Sequence, residues 1–169
     1  METLTAIFTR RSIRKYTKQV ISQEFVVKLL EAAMHAPSAR NLQPWQFIVI
    51  NEREKLDDLS EIHPYGKMLK EATLTILVCG DRNLESNDAY LLQNCVASTQ
   101  NILLAAHDLG LGAVWLGVYP REQRINDIRK YFNLPDHILP ISLISLGYPA
   151  ETKEIPERFR KERVHYNGW

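Results

Sequence analysis

Leu4, Ile7 and Phe8 recur at helical spacing and predict a short helix that runs up to Arg10. Phe25, Val26, Leu29, Leu30, Ala33 and Met34 make one apolar side of a second helix. Ser22 is placed to cap its start, and Pro37 closes it, because the residue before a proline is pushed out of the helical region. Trp45 to Ile50 is an apolar, β-branched run that reads as a buried strand. A short charged helix opens at Asn51 and reaches Ser60, and His63-Pro64-Tyr65-Gly66 is a turn. Thr73 to Cys79 predicts a second strand closed by Gly80-Asp81, and Gly110 to Val118 a glycine-stopped helix end followed by a third. Ile138 to Leu146 gives a fourth, ended by Gly147-Tyr148-Pro149. A helix after Pro120 turns Ile125, Ile128 and Phe132 inward. Interleaved helices and strands predict an α+β fold around a mixed or antiparallel sheet of four to five strands.

Residues 89–106 carry no formal charge yet include Gln93, Asn94, Ser98, Thr99, Gln100 and Asn101. A membrane span seldom tolerates so many amides near its middle, so this run predicts a central helix buried on most sides. A small domain has few ways to surround such a helix, which predicts that a second subunit covers part of it.

Composition narrows the class. The 169 residues are 45% hydrophobic and 24% charged, as in an ordinary globular protein, and no linker or repeat divides them, so 1–169 is expected to be a single domain. Lys+Arg 21 against Asp+Glu 20 leaves a net charge of +1, which argues against a nucleic-acid-binding protein. Cys79 and Cys95 lie in apolar surroundings with no C-x-x-C, and Met1 to Thr5 has neither the basic segment nor the apolar stretch of a secretory signal. Both features predict a cytoplasmic protein with free thiols.

The positive charge is local. Arg10-Arg11-Ser12-Ile13-Arg14 sets three guanidinium groups and a hydroxyl within five residues. Arginine offers a planar fork of donors that matches phosphate oxygens two at a time. An extended backbone here would present Arg10, Ser12 and Arg14 on one face and turn Ile13 inward. The competing reading is a solvated basic loop. Pro37-Ser38-Ala39-Arg40-Asn41 is a second candidate, a loop able to offer backbone groups and short donors to a ligand. The five histidines are scattered without metal-ligand spacing, and no G-x-S-x-G, Walker or strand-borne G-x-G-x-x-G motif occurs. A phosphate grip without an acid, base or nucleophile motif suits an enzyme whose cofactor carries the reaction.

Three segments together resemble the nitroreductase family of FMN-dependent oxidoreductases: Arg-Arg-Ser-Ile-Arg, Pro-Ser-Ala-Arg-Asn-Leu-Gln-Pro-Trp, and Gly-Leu-Gly-Ala-Val-Trp-Leu-Gly. Their order fits, and the likeness runs over essentially the whole chain. The resemblance implies that Arg10, Ser12 and Arg14 hold the FMN phosphate and ribityl chain, with Arg11 at a variable position that also contacts the cofactor. Arg14 would stand near the pyrimidine edge, where a cation stabilises charge gathered on reduction. Pro37, Ser38, Ala39 and Asn41 match a loop contributed by the second subunit of a homodimer. Leu116 and Gly117 match a strand end whose amides approach the flavin. In the tail, Arg158 or Arg160 matches a late phosphate ligand, and the tail itself is expected to reach the partner. Larger members carry a helical insertion between the second strand and the central helix; only about ten residues stand there in this chain. A lysine used beside the flavin in some members has Lys67 and Lys70 as candidates.

The implied activity is a ping-pong transfer of hydride from NADH or NADPH to FMN and then to a small acceptor such as a nitroaromatic or quinone, without a catalytic side chain, a metal or a membrane. The alternatives are a specialised flavin reaction such as reductive dehalogenation and a non-catalytic FMN-binding protein. A third reading takes Arg10 to Lys18 as a basic interaction patch.

Overall fold

The computed structural model describes residues 1–169. Four strands, β1 (Trp45–Ile50), β2 (Leu74–Asp81), β3 (Gly112–Gly117) and β4 (Ile138–Gly147), form one sheet in the order β1-β2-β4-β3, every neighbouring pair antiparallel. The two central strands are buried almost throughout. By contrast β1 is an edge, with Gln46 and Val49 exposed, so its apolar run does not mark a fully buried strand.

Five helices complete the fold: α1 (Thr3–Thr9), α2 (Gln23–Met34), α3 (Arg53–Ile62), α4 (Asp88–Asp108) and α5 (Glu122–Phe132). The side-chain alternation of the strands serves two cores. Ile76, Val78, Ile144 and Leu146 pack against Val26, Leu29 and Ala33 of α2 and Leu91, Cys95, Ile102 and Ala106 of α4. Leu77, Cys79, Leu116 and Leu143 face the other way, onto Leu56 and Leu59 of α3 and Ile128 of α5. The result is a three-layer α+β structure.

Local chemistry sets the boundaries. The Ser22 hydroxyl accepts the Phe25 N–H and starts α2, and Asn87 caps α4 through the amides of Ala89 and Tyr90. Gly80 and Asp81 belong to β2 rather than to a turn, because they pair with Leu139 and Ile138 of β4; Leu91 lies over Gly80, where a Cβ would meet it at 2.6 Å. Pro140 is tolerated inside a central strand because the register shifts beside it: Cys79 faces Pro140 and Val78 faces Ser142. Ile141, left over by that shift, offers its carbonyl to the N–H groups of Val118 and Tyr119. No helix is long and apolar enough to cross a membrane. The long helix α4 keeps a stripe open at Tyr90, Gln93 and Gln100.

Candidate functional site

The arginine segment leaves α1 at Arg10 and lies against the start of β3. The Ile13 N–H donates to the Ala113 carbonyl at 3.0 Å, with Ser12 opposite Ala113 in a short parallel bridge. Ile13 is buried while Arg10 and Ser12 are half-buried and Arg14 is exposed, the alternation expected of an extended chain. Arg11 therefore departs to the other side. Its guanidinium donates to the carbonyls of Phe8 at 2.8 Å, Arg10 at 2.5 Å and Glu154 at 3.0 Å. Three backbone oxygens already occupy its fork, so Arg11 serves as a clip on the tail rather than an open anion donor.

Arg10, Arg14 and Arg158 form no ion pair with a carboxylate of the chain. Burial pushes the Arg10 guanidinium below its ordinary pKa, and the like charges of Arg11 and Arg158 push it further. Arg158 lies near enough to Arg10 for its charge to act on it, and Arg160 donates to the carbonyl of its neighbour Phe159. His107 borders the same cluster: its Nε2 stands 2.7 Å from Thr9 Oγ1, and burial, Arg10 and Arg11 all lower its pKa. Thr9 Oγ1 donates to the Thr5 carbonyl, which leaves its oxygen to accept the His107 proton. Three arginines without carboxylate partners are costly in the chain alone and suit a multiply charged anion.

From Ala113 the open edge of the sheet runs along β3 to Gly117. The Val118 N–H bonds Ile141 in β4, and the carbonyls of Ala113 and Gly117 accept from outside the sheet. Alternation then points the amides of Trp115 and Gly117 at the open edge and turns that of Leu116 toward Leu143 of β4. Of the expected pair, Gly117 is positioned to donate to a ligand; the Leu116 amide belongs to the ladder and its side chain to the core. Space beside Gly117 is free, since a Cβ would meet nothing nearer than the Tyr119 carbonyl at 4.0 Å.

Two residues that no sequence motif marked gather at this strand end. Arg124 Nη1 donates to the Gly117 carbonyl at 2.7 Å and His63 Nε2 at 3.0 Å, while Tyr65 places its ring beside the guanidinium. Lys67 and Lys70 follow in a 3₁₀ turn; Lys70 pairs with Glu61 at 2.6 Å, and Lys67 has no ion pair.

The loop from Pro37 to Asn41 lies on α4, away from the arginines of its own chain's β3 edge. Ala39 N–H donates to Asn94 Oδ1, and the Ser38 hydroxyl accepts the Gln43 N–H. Arg40, Asn41 and Gln43 all adopt left-handed backbone conformations, with φ of 56°, 56° and 48°. Such strain persists where the surroundings over-determine it. Here the buried Glu85 does so, pairing with Arg40 at 2.5 Å. The Asn87 N–H and then Arg40 hold the Glu85 carboxyl below the usual range. A hollow of about 320 Å³ opens between Pro37, Ser38, Ala39 and the Tyr90, Gln93 and Asn94 side of α4.

Tyr16 donates its hydroxyl to the Ile13 carbonyl at 2.7 Å, with the Ser145 carbonyl 3.2 Å away, and is structural. Cys79 and Cys95 are free and buried, both pushed up to about 12, so neither offers a thiolate at neutral pH.

The sequence profile described as the Nitroreductase family matches residues 7–64 and 61–148. A protein of Methanothermobacter thermautotrophicus, provisionally named NADH dehydrogenase/NAD(P)H nitroreductase, is 50% identical over 169 residues, covering 100% of this chain and 88% of the relative. A crystal structure from Parabacteroides distasonis with the same provisional name superposes with a TM-score of 0.94 at 44% identity, over 99% of this chain and 98% of that one. A provisionally named nitroreductase from Desulfovibrio desulfuricans, solved in complex with FMN, gives 0.86 at 36% identity, over 100% and 98%. Sequence, fold and the ordered arrangement of the arginine segment, the loop and the β3 edge agree that this chain belongs to the nitroreductase family.

Proposed function

We propose that the chain is an FMN-dependent oxidoreductase, active as a homodimer, that takes hydride from NADH or NADPH and passes electrons to a small acceptor such as a nitroaromatic or quinone. One observation carries the reading: unpaired Arg10 and Arg158 stand at one end of the β3 edge and the free Gly117 amide at the other. Four residues of strand at about 3.3 Å each separate them, roughly 13 Å, room for a phosphate, a ribityl chain and the near edge of a flavin ring.

Bound there, FMN supplies a ring nitrogen that accepts hydride and a conjugated system that passes the electrons on. The chain supplies the rest. Arg10, Arg158 and the Ser12 hydroxyl hold the phosphate, and Arg14 sets a positive charge near the pyrimidine edge. The Gly117 amide donates to the ring edge, and Arg11 keeps the tail, with Arg158, in place. Pro37, Ser38, Ala39 and Asn41 wall the site of the partner subunit. Oriented donors in a site shielded from water bias the cofactor toward its reduced form. No side chain is needed as an acid or base.

A dimer also accounts for the exposed apolar surface. Leu4 and Phe8 on α1, Val27 and Met34 on α2, and Phe159, Tyr166 and Trp169 in the tail are all exposed and available to a partner subunit. Free buried thiols suit the reducing cytoplasm. Incubation of purified protein with FMN followed by gel filtration tests the assignment. Co-elution of one FMN per chain at a dimer's mass is expected; colourless protein would refute it.

A further inference from the structure

Gly117 closes β3 where the sheet edge opens, and its carbonyl accepts two hydrogen bonds from outside the sheet. Arg124, in the first turn of α5, donates at 2.7 Å, and His63 donates from Nε2 at 3.0 Å. The histidine has a single tautomer compatible with its bonds. Its Nδ1 accepts the Tyr65 N–H at 3.2 Å, so the proton sits on Nε2 and the ring is neutral. Burial and the nearby Arg124 lower its pKa, which preserves that neutral form.

Arg124 itself is half-buried and forms no ion pair with any carboxylate. Its guanidinium lies 5.3 Å from the centroid of the Tyr65 ring. A half-buried cation held by a carbonyl and an aromatic face keeps its full charge, because neither neutralises it. No atom lies nearer than 4.0 Å to where a Cβ would stand on Gly117, so packing does not hold this last residue of β3; the ladder bonds of its neighbours and the two bonds to its carbonyl do.

We infer that Arg124 and His63 are positioning residues that clamp the Gly117 carbonyl, so that the Gly117 amide faces the flavin edge in one orientation and Arg124 sets a fixed positive charge at the ring end of the site. This rests on the FMN reading above and adds to Arg14 a second cation at the ring end. Arg10 and Arg158 hold the phosphate end; Arg124 acts on the ring end, where charge arrives on reduction. The clamp joins the consecutive elements β3 and α5 to the His63–Tyr65 turn, 54 residues before Gly117 in sequence.

The test uses the full-length protein with Arg124→Ala, Arg124→Lys and His63→Ala. Two quantities are read: the NMR order parameter of the Gly117 amide without FMN, and FMN affinity in both oxidation states. Arg124→Ala is expected to lower the Gly117 order parameter and to weaken binding of reduced FMN about tenfold more than oxidised FMN, which for a two-electron couple is a fall of about 30 mV in potential. Arg124→Lys keeps the charge and should restore most of that difference. His63→Ala should lower the Gly117 order parameter with a smaller change in potential. An unchanged Gly117 order parameter in both Arg124→Ala and His63→Ala would overturn the clamp whether or not FMN binds. Equal weakening of both oxidation states in Arg124→Ala would overturn the role of the charge. A wild-type chain that takes up no FMN would instead refute the cofactor reading, and the order parameters would still decide on the clamp.

Discussion

The Nε of Arg11 donates to the backbone carbonyl of Glu154 at 3.0 Å, and that bond fastens the C-terminal tail to the arginine segment. The same guanidinium holds the carbonyls of Phe8 and Arg10 at the end of α1. Replacing Arg11 with alanine removes all three bonds at once. A loss of about 1–2 kcal/mol of stability is expected, because these are charge-assisted bonds at a partly exposed site. The tail beyond Glu154 should become more open to proteolysis. Denaturant unfolding and limited trypsinolysis read the two effects; a variant with wild-type cleavage kinetics would show that the tail is held elsewhere.

Arg10→Ala and Arg14→Ala should behave differently from Arg11→Ala. Neither side chain bonds to the rest of the chain, and Arg10 is repelled by Arg11 and Arg158. Loss of either should leave the melting temperature nearly unchanged, with Arg10→Ala slightly more stable without cofactor. FMN affinity should fall about 10- to 100-fold for each, the range of a charge-assisted bond of roughly 1.5–3 kcal/mol. Fluorescence titration with FMN measures this directly.

His107 reports on the same charges. Burial and the two neighbouring arginines lower its pKa in the folded chain. A histidine lowered in this way stabilises the fold fully above its unfolded value of about 6.5, and that contribution is lost as pH falls through the lower folded value. A phosphate dianion among the arginines cancels part of their field, so it should raise the His107 pKa and draw a proton from solution. Titration of the His107 ring by NMR, with and without inorganic phosphate or FMN, should show an upward shift with both. A shift absent with both would place the anion elsewhere.

Gly112 couples the site to the sheet. A Cβ on Gly112 would come within 2.6 Å of Ile13 Cγ2, in the extended segment that also carries Ser12 and Arg14. Gly112→Ala should therefore displace that segment, costing about 1–3 kcal/mol as overpacking does and weakening FMN binding in parallel. Stability lost without any effect on FMN would separate the segment from the cofactor.

Much of this was legible along the chain because it is local. The Ser22 cap, the span of β1 and the uncharged run of α4 follow from neighbouring residues, and the arginine segment declared its chemistry by composition. The roles within that segment depend on a partner. Arg10 and Arg11 look alike in sequence, yet pairing with Ala113 sends one toward the cation cluster and the other back onto α1 and the tail. The register with β4 likewise decides that Gly117, and not Leu116, presents its amide. A one-residue change of register reverses such a choice, and no local pattern encodes it. His63 and Arg124 meet only at the Gly117 carbonyl, so each looked in sequence like an ordinary turn or surface residue.

Anaerobic titration of the FMN-loaded protein with NADH and with NADPH, followed by flavin absorbance, tests the central claim most directly. At least one nucleotide is expected to bleach the flavin with one equivalent per bound FMN, and a nitroaromatic or quinone then to restore the colour. A protein that binds FMN and keeps its oxidised spectrum with both nucleotides would be a carrier, and the oxidoreductase assignment would be contradicted.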